Sequence, residues 1–136
     1  MTPERLAQIH GDSFTVPRPW SSAEFRDLLT QEAVHLIPHE HGFALIMVAG
    51  PEAELLTLAV DPTHRRQGIA STLMDAMETH CRDQSVVEIF LEVVENNTPA
   101  RALYDARGYT IKGARKDYYN GPKGQKISAT VMAKSI

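Results

Sequence analysis

The chain has 136 residues, 43% of them hydrophobic and 23% charged, an ordinary composition for a soluble globular protein with one core. With a formal net charge of −3, the chain lacks the excess of basic residues found in nucleic-acid-binding proteins. No apolar run approaches the roughly 20 residues that span a bilayer. We therefore expect a single domain over residues 1–136, with neither a nucleic acid nor a membrane as partner. The lone Cys81 excludes an internal disulfide, and the absence of an apolar signal segment favours the cytoplasm.

Two helices and three strands are predicted in the first part of the chain. Residues 2–4 (Thr-Pro-Glu) are typical of a helix start, and this helix is expected to end near Gly11. The two prolines in residues 16–20 predict a loop, after which Ser21 or Ser22 caps a helix that reaches about Leu29. The strands are predicted over residues 33–38, 42–50 and 53–60, the last apolar enough to be central.

The second part of the chain alternates helices and strands. Helices are predicted over residues 67–82 and 98–108, and strands over residues 86–94, 109–114 and 126–133. The turn-rich residues 115–125 are expected to connect the last two strands, which would pair antiparallel. This order of elements predicts a mixed sheet with helices on its faces, and a right-handed crossover between the strands that flank the long helix.

The junction before the long helix combines positive charge with small residues. Arg65 and Arg66 precede Gly68 and Ala70, whose small side chains leave the backbone open. The first N–H groups of a helix lack partners within it and attract anions, so this segment is a candidate phosphate cradle. It is neither a P-loop nor a dinucleotide fingerprint, and a plain strand-to-helix turn with a surface charge pair is the alternative.

The stretch IFLEVVENNTPARALYDARGY at residues 89–109 favours the phosphate cradle over the plain turn. Together with Arg65-x-x-Gly68-x-Ala70, it resembles the GNAT family of acetyl-CoA-dependent N-acetyltransferases. LEVVENNTPARALYDARGY resembles the RimI branch of that family, the ribosomal-protein alanine N-acetyltransferases. The RimI branch also has segments that resemble residues 19–25 (PWSSAEF) and 114–125 (ARKDYYNGPKGQ), so the resemblance covers nearly the whole chain.

The resemblance implies the GNAT fold, of class α/β (α+β): a mixed, mostly antiparallel sheet flanked by helices. Because helix signals begin at Thr2, we expect the family's first strand to be missing, which leaves about six strands. The chain also departs from the RimI pattern at Ser128, where that branch tends to carry an acidic residue.

The resemblance also implies how acetyl-CoA is held, with no metal. The backbone amides of the junction would bind its pyrophosphate, and backbone groups of the preceding strand would pair with its pantetheine arm. Asn97 would hydrogen-bond it from the end of the next strand. The implied cofactor-binding residues are Leu58, Ala59, Val60, Arg66, Gln67, Gly68, Ile69, Ala70, Ser71 and Asn97.

Two residues match the family's proton-transfer positions. Glu92 matches the proposed general base, and apolar surroundings would raise its pKa towards neutrality. Tyr104 matches the proposed general acid, which protonates the leaving thiolate of CoA. The alternatives are an exposed strand residue for Glu92 and a tyrosine packed on the sheet for Tyr104. Cys81 is expected to be a packed residue, and the His-Glu-His of residues 39–41 to be a turn without a metal.

The sequence is compatible with three functions. The first is acetylation of a protein N-terminus, with the N-terminal alanine of a ribosomal protein as a candidate acceptor. The second is acetylation of a small amine or a lysine side chain. The third is a non-catalytic acetyl-CoA-binding module, which the presence of Glu92 and Tyr104 disfavours. The protein is expected to be a monomer or a homodimer.

Overall fold

A computed structural model describes residues 1–13, 18–121 and 123–136. Its helices are α1 (Pro3–Ser13), α2 (Ser22–Leu29), α3 (Ile69–Asp83) and α4 (Thr98–Ala106), with a single 3₁₀ turn at Pro62–His64. Its strands are β1 (Val34–His39), β2 (Gly42–Ala49), β3 (Glu52–Val60), β4 (Glu88–Val94), β5 (Thr110–Asn120) and β6 (Lys126–Ser135). In these ranges, no helix has both the length and the apolar composition needed to cross a bilayer.

The predicted caps start the first two helices. The Thr2 hydroxyl accepts a hydrogen bond from the Arg5 backbone N–H, and α1 continues two residues past Gly11. Ser21 caps α2, where its hydroxyl accepts from the Glu24 N–H while the Glu24 carboxylate accepts from the Ser21 N–H. The loop predicted over residues 16–20 lies partly outside the described residues, which resume at residue 18.

The strands form one mixed sheet in the order β1-β2-β3-β4-β6-β5. Of these neighbours, β3 and β4 are parallel and the others antiparallel. This confirms the predicted fold class, with six strands in the described residues. The parallel pair is short: its register runs from Glu52 opposite Glu88 to Leu55 opposite Leu91 and ends there, although both strands continue.

Each sheet face carries a hydrophobic cluster. On one face, α3 residues such as Leu73 and Met77 pack with Ile89 and Leu91 of β4. On the other face, Leu6 and Ile9 of α1 and Phe25 of α2 pack against β1, β2 and β3. Helices therefore cover both faces of the sheet, and both α1 and α3 contact β3.

A β-bulge in β3 lies where its pairing with β4 ends. Leu45 of β2 is opposite Thr57, whereas the next residue, Ile46, is opposite Leu55, so Leu56 is an extra residue in β3. The bulge changes which side chains face each layer: Leu55 belongs to the α3 cluster, whereas Leu56 and Ala59 belong to the α1 cluster. A bulge bends its strand, so β3 turns away from its parallel neighbour at this point.

Several predicted boundaries differ from the observed ones, mostly by one or two residues, and two differences have a clear physical reason. Helix α3 begins at Ile69, two residues later than predicted, because Arg66 (φ 63°) and Gly68 (φ 74°) adopt left-handed backbone conformations that interrupt a helix. Strand β5 extends to Asn120, although residues 115–120 were predicted as part of a connection. Its pairing with β6 absorbs the turn-forming residues in a bulge, where the Asp117 N–H donates to the Ser128 hydroxyl.

Candidate active site

A cavity of about 560 Å³ lies between β3 and β4, beyond the end of their pairing. Its lining comes from both sides of the sheet, with Glu92 and Tyr119 on one side and Leu103 and Tyr104 of α4 on the other. Every predicted site residue except Gln67 lines this cavity. The splayed strands thus bring together residues that lie up to 46 positions apart, from Leu58 to Tyr104.

One end of the cavity is the start of α3. Gly68 is the N-cap residue, and no side chain caps the helix there. The first helical hydrogen bond runs from the Thr72 N–H to the Gly68 carbonyl, so the N–H groups of Ile69, Ala70 and Ser71 precede the helical ladder. Left-handed residues alternating along such a turn aim successive N–H groups into one concavity that suits an anion. The geometry therefore fits the phosphate cradle predicted from the sequence.

The edge of β3 and the start of α4 form the walls next to this cradle. Val60 lines the cavity, and its carbonyl accepts a hydrogen bond from the Ser13 hydroxyl of α1. Asn97 caps α4, where its side-chain oxygen accepts from the Ala100 N–H at 3.2 Å. Since that bond occupies the amide oxygen, the donor groups of the Asn97 amide are the ones suited to a ligand.

Glu92 lies in a polar rather than an apolar setting. The Arg115 guanidinium donates to its carboxylate at 2.9 Å, and the Glu92 side chain is 20% exposed. Arg115 reaches it from β5 because β6 is the shared neighbour: Val131 of β6 is opposite Glu92, and Ala129 is opposite Arg115. The expectation of apolar surroundings was therefore wrong, although the carboxylate does line the cavity.

Tyr104 approaches the cavity from the opposite face of the sheet. It is 8% exposed, and its ring makes an edge contact with Tyr109 at 5.9 Å between centroids. Burial raises the pKa of the Tyr104 phenol to about 12, so it holds its proton throughout the physiological range. The predicted proton acceptor and proton donor thus stand on different sides of β4.

Two of the other cavity residues, Glu54 and Tyr119, were not among the predicted catalytic or cofactor-binding residues. Glu54 stands in β3 two residues before the bulge, and Tyr119 is near the end of β5. Burial raises the pKa of Tyr119 to about 12, with Glu92 as a further cause. A carboxylate inside an apolar strand, the feature that singled out Glu92, is also present at Glu54.

The other candidates have local roles. His41 stacks on His64 with ring centroids 3.5 Å apart, and no group of three or more metal-ligating side chains occurs in the ranges described. Cys81 is fully buried, as expected, and burial raises the pKa of its thiol to about 11. Trp20 stacks on His10 at 5.0 Å, within the layer formed by α1 and α2.

Comparison with known proteins gives a consistent result. The acetyltransferase (GNAT) family model matches residues 4–109. The ribosomal protein bS18-alanine N-acetyltransferase of Haemophilus ducreyi is 33% identical over 137 aligned residues, covering 95% of this chain and 90% of the relative. The enzyme of that name from Escherichia coli (strain K12) is 30% identical over 122 residues, covering 87% of this chain and 82% of the relative.

Solved structures agree with the sequence matches. The ribosomal-protein-S18-alanine N-acetyltransferase from Escherichia coli superposes with a TM-score of 0.84 at 28% identity, covering 96% of this chain and 84% of the other. Ard1 from Thermoplasma volcanium gives a TM-score of 0.82 at 26% identity, covering 100% of this chain and 94% of the other. Because the family model matches more than half of this chain, the chain belongs to the GNAT family and is an acetyltransferase.

Proposed function

We propose that this protein transfers the acetyl group of acetyl-CoA to the N-terminal amine of a protein, with the N-terminal alanine of a ribosomal protein as the preferred acceptor. The observation that carries this proposal is one continuous cavity, with an open helix N-terminus at one end and carboxylates at the other. The relatives that match most of this chain are named for that acceptor, ribosomal protein bS18. Such a substrate would place the reaction in the cytoplasm.

The cradle at α3 suits the pyrophosphate of acetyl-CoA. The N–H groups of residues 66–71 would donate to its oxygens, and the helix dipole adds attraction for negative charge. The edge of β3 from Leu58 to Val60, where only the Val60 carbonyl has a partner in Ser13, would bond the pantetheine arm, because β4 has already diverged there. Asn97 would donate its amide N–H groups to the same arm from the start of α4.

When bound, acetyl-CoA supplies a thioester carbonyl that an amine can attack. Glu92 would accept a proton from the acceptor ammonium, directly or through a water molecule, which frees the nitrogen lone pair. As the C–N bond forms and the C–S bond breaks, Tyr104 would give its proton to the sulfur. A phenol with a pKa of about 12 serves this purpose because the same desolvation destabilises a thiolate in its vicinity.

The cavity is more acidic at its acceptor end than the net charge of −3 suggests. Five glutamates in the sequence fall near strand ends, and two of them, Glu54 and Glu92, line the cavity, whereas Glu40, Glu52 and Glu95 do not. A free N-terminus followed by basic residues would be attracted to this end. Because exposed charges are screened beyond about 8–10 Å near physiological salt, the attraction should weaken as salt is added.

The test is thiol release from acetyl-CoA with three acceptors: a short peptide with a free N-terminal alanine and basic residues, the same peptide already N-acetylated, and a polyamine. We expect turnover of the free peptide alone, with mass spectrometry placing the acetyl group on the α-amine and with a KM that rises with salt. Turnover of the polyamine without the peptide would favour a small-amine enzyme. Binding of acetyl-CoA without turnover of any amine would favour the non-catalytic module.

A further inference from the structure

A second carboxylate, Glu54, faces the acceptor end of the cavity beside Glu92. Glu54 is opposite Phe90 in the parallel register, so Glu92 is two residues further along the neighbouring strand. Ala53 and Leu55 face α3, and so do Leu91 and Val93. By strand alternation, the Glu54 and Glu92 side chains therefore leave the sheet on the same face, the one opposite α3.

The two carboxylates are only partly compensated by positive charge. The groups facing Glu54 are Glu92 of β4 and Arg115 and Tyr119 of β5. Arg115 forms a 2.9 Å ion pair with Glu92. With Tyr119 neutral, two carboxylates and one guanidinium leave one negative charge, which a single ammonium group would neutralise.

The pKa of Glu54 shifts in the direction expected for a carboxyl beside an uncompensated negative charge. Burial raises the pKa of the Glu54 carboxyl, and the negative charge of Glu92 raises it further, whereas Arg115 lowers it. The side chain as a whole remains exposed to solvent. It therefore stands at the mouth of the cavity, where an incoming acceptor arrives, rather than in the core.

We propose that Glu54 is a substrate-binding residue, which together with Glu92 holds the protonated amine of the acceptor before its proton is removed. The chemical class recognised is a primary ammonium with open space behind it, and an N-acetylated or neutral terminus is rejected because it leaves the two carboxylates uncompensated. This inference rests on the proposed acetyl transfer to an amine, but not on which amine is the acceptor.

The test compares Glu54→Gln with Glu52→Gln, a control on the same strand that is exposed and does not line the cavity. The acceptor that the unaltered protein uses best is varied at saturating acetyl-CoA, and acetyl-CoA is varied at saturating acceptor. We expect Glu54→Gln to raise the acceptor KM about ten-fold, the low end for a charged hydrogen bond because the site is open to solvent. Its kcat and its KM for acetyl-CoA should change less than about three-fold, and Glu52→Gln should change none of these values.

A binding measurement makes the test independent of turnover. In the presence of CoA, which carries no acetyl group, the free peptide keeps its primary ammonium and cannot be acetylated, whereas the acetylated peptide is neutral. By calorimetry in the presence of CoA, the unaltered protein should bind the charged peptide more tightly, and Glu54→Gln should lose most of that preference. In the kinetic assay, the acceptor KM of the unaltered protein should also rise at acidic pH as Glu54 takes up a proton, and this dependence should be absent in Glu54→Gln.

The outcomes separate the two proposals. If the polyamine is used and the peptide is not, the proposed acceptor is wrong, while a ten-fold effect of Glu54→Gln on the polyamine KM still supports the binding role. An unchanged acceptor KM and unchanged charge preference in Glu54→Gln would overturn it. A fall in kcat of about 100-fold or more at constant KM would also overturn it, because Glu54 would then act in proton transfer.

Discussion

Replacing Gly68 tests the phosphate cradle, because the structure separates the effect on the backbone from the effect on the ligand. Gly68 has a φ of +74° and lines the cavity, and a Cβ built there meets no protein atom within 4 Å. Gly50 has a φ of +59°, is equally unobstructed, and lies in the turn between β2 and β3, outside the cavity lining. It therefore provides a matched control.

The expected magnitudes follow from these two sites. A left-handed conformation costs a non-glycine residue roughly 1–2 kcal/mol, so Gly68→Ala and Gly50→Ala should lower stability by similar amounts. That loss corresponds to a decrease in Tm of about 5 °C for a chain of this size. Gly68→Val should additionally weaken acetyl-CoA binding by about ten- to a hundred-fold, the effect of losing one hydrogen bond to a charged phosphate.

Thermal unfolding and calorimetric titration with acetyl-CoA measure the two effects separately. We expect all variants to unfold cooperatively below the parent temperature, and only the Gly68 variants to show a higher Kd. If folded Gly68→Val binds acetyl-CoA as tightly as Gly50→Val, then the residue 65–71 turn does not hold the phosphates.

Three further predictions concern proton transfer and acid stability. Glu92→Gln should keep acetyl-CoA affinity and lower kcat by about 10²–10⁴-fold. The control is Glu88→Gln, on the same face of β4 but outside the cavity. Equal rates in the two variants would show that Glu92 takes no part in proton transfer. Tyr104→Phe should lower kcat, and since burial raises the Tyr104 pKa to about 12, the parent rate should show no decline up to about pH 10 from this residue; a parent-like rate in the variant would assign Tyr104 to packing alone. Burial lowers the pKa of His10 from 6.5 to about 4, so between these pH values the unfolded state binds one more proton than the folded state. The free energy of unfolding should therefore fall by about 3 kcal/mol as the pH drops from 6.5 to about 4. Urea unfolding at pH 7 and pH 4.5 checks this, because the stability gap between the parent and His10→Gln should shrink at low pH; parallel losses in both proteins would contradict it.

Local sequence signals predicted the elements well where the chain's own neighbours determine the structure. Ser21 and Glu24 form the expected capping box, and Gly108, at φ 90°, ends α4 as the pattern indicated. The boundaries failed where nonlocal pairing overrides local preference. Asn120 favours turns, yet it pairs with Lys126 of β6. Asp117 keeps a left-handed conformation (φ 52°) in a bulge, where its N–H donates to the Ser128 hydroxyl.

The candidate site shows the same division. Glu92 and Tyr104 were identified by their motif, and the structure places both on one cavity. The partner of Glu92 was not predictable, because Arg115 follows 23 residues later and reaches it only through the strand order β4-β6-β5. The bulge at Leu56 left no signal either, since an apolar run has no alternation from which a change of face could be detected.

That bulge makes the active-site cleft depend on a count of residues rather than on their identities. Removing Leu56 would restore unbroken pairing of β3 with β2, with Thr57 still opposite Leu45 and Ala59 still opposite Phe43 on the α1 side of the sheet. The hydrogen bond between His10 of α1 and Thr57, 3.1 Å long, would be kept, and β3, no longer bent by the bulge, would continue beside β4. Point substitutions adjust the chemistry of this cavity, whereas a single deletion would remove the opening itself.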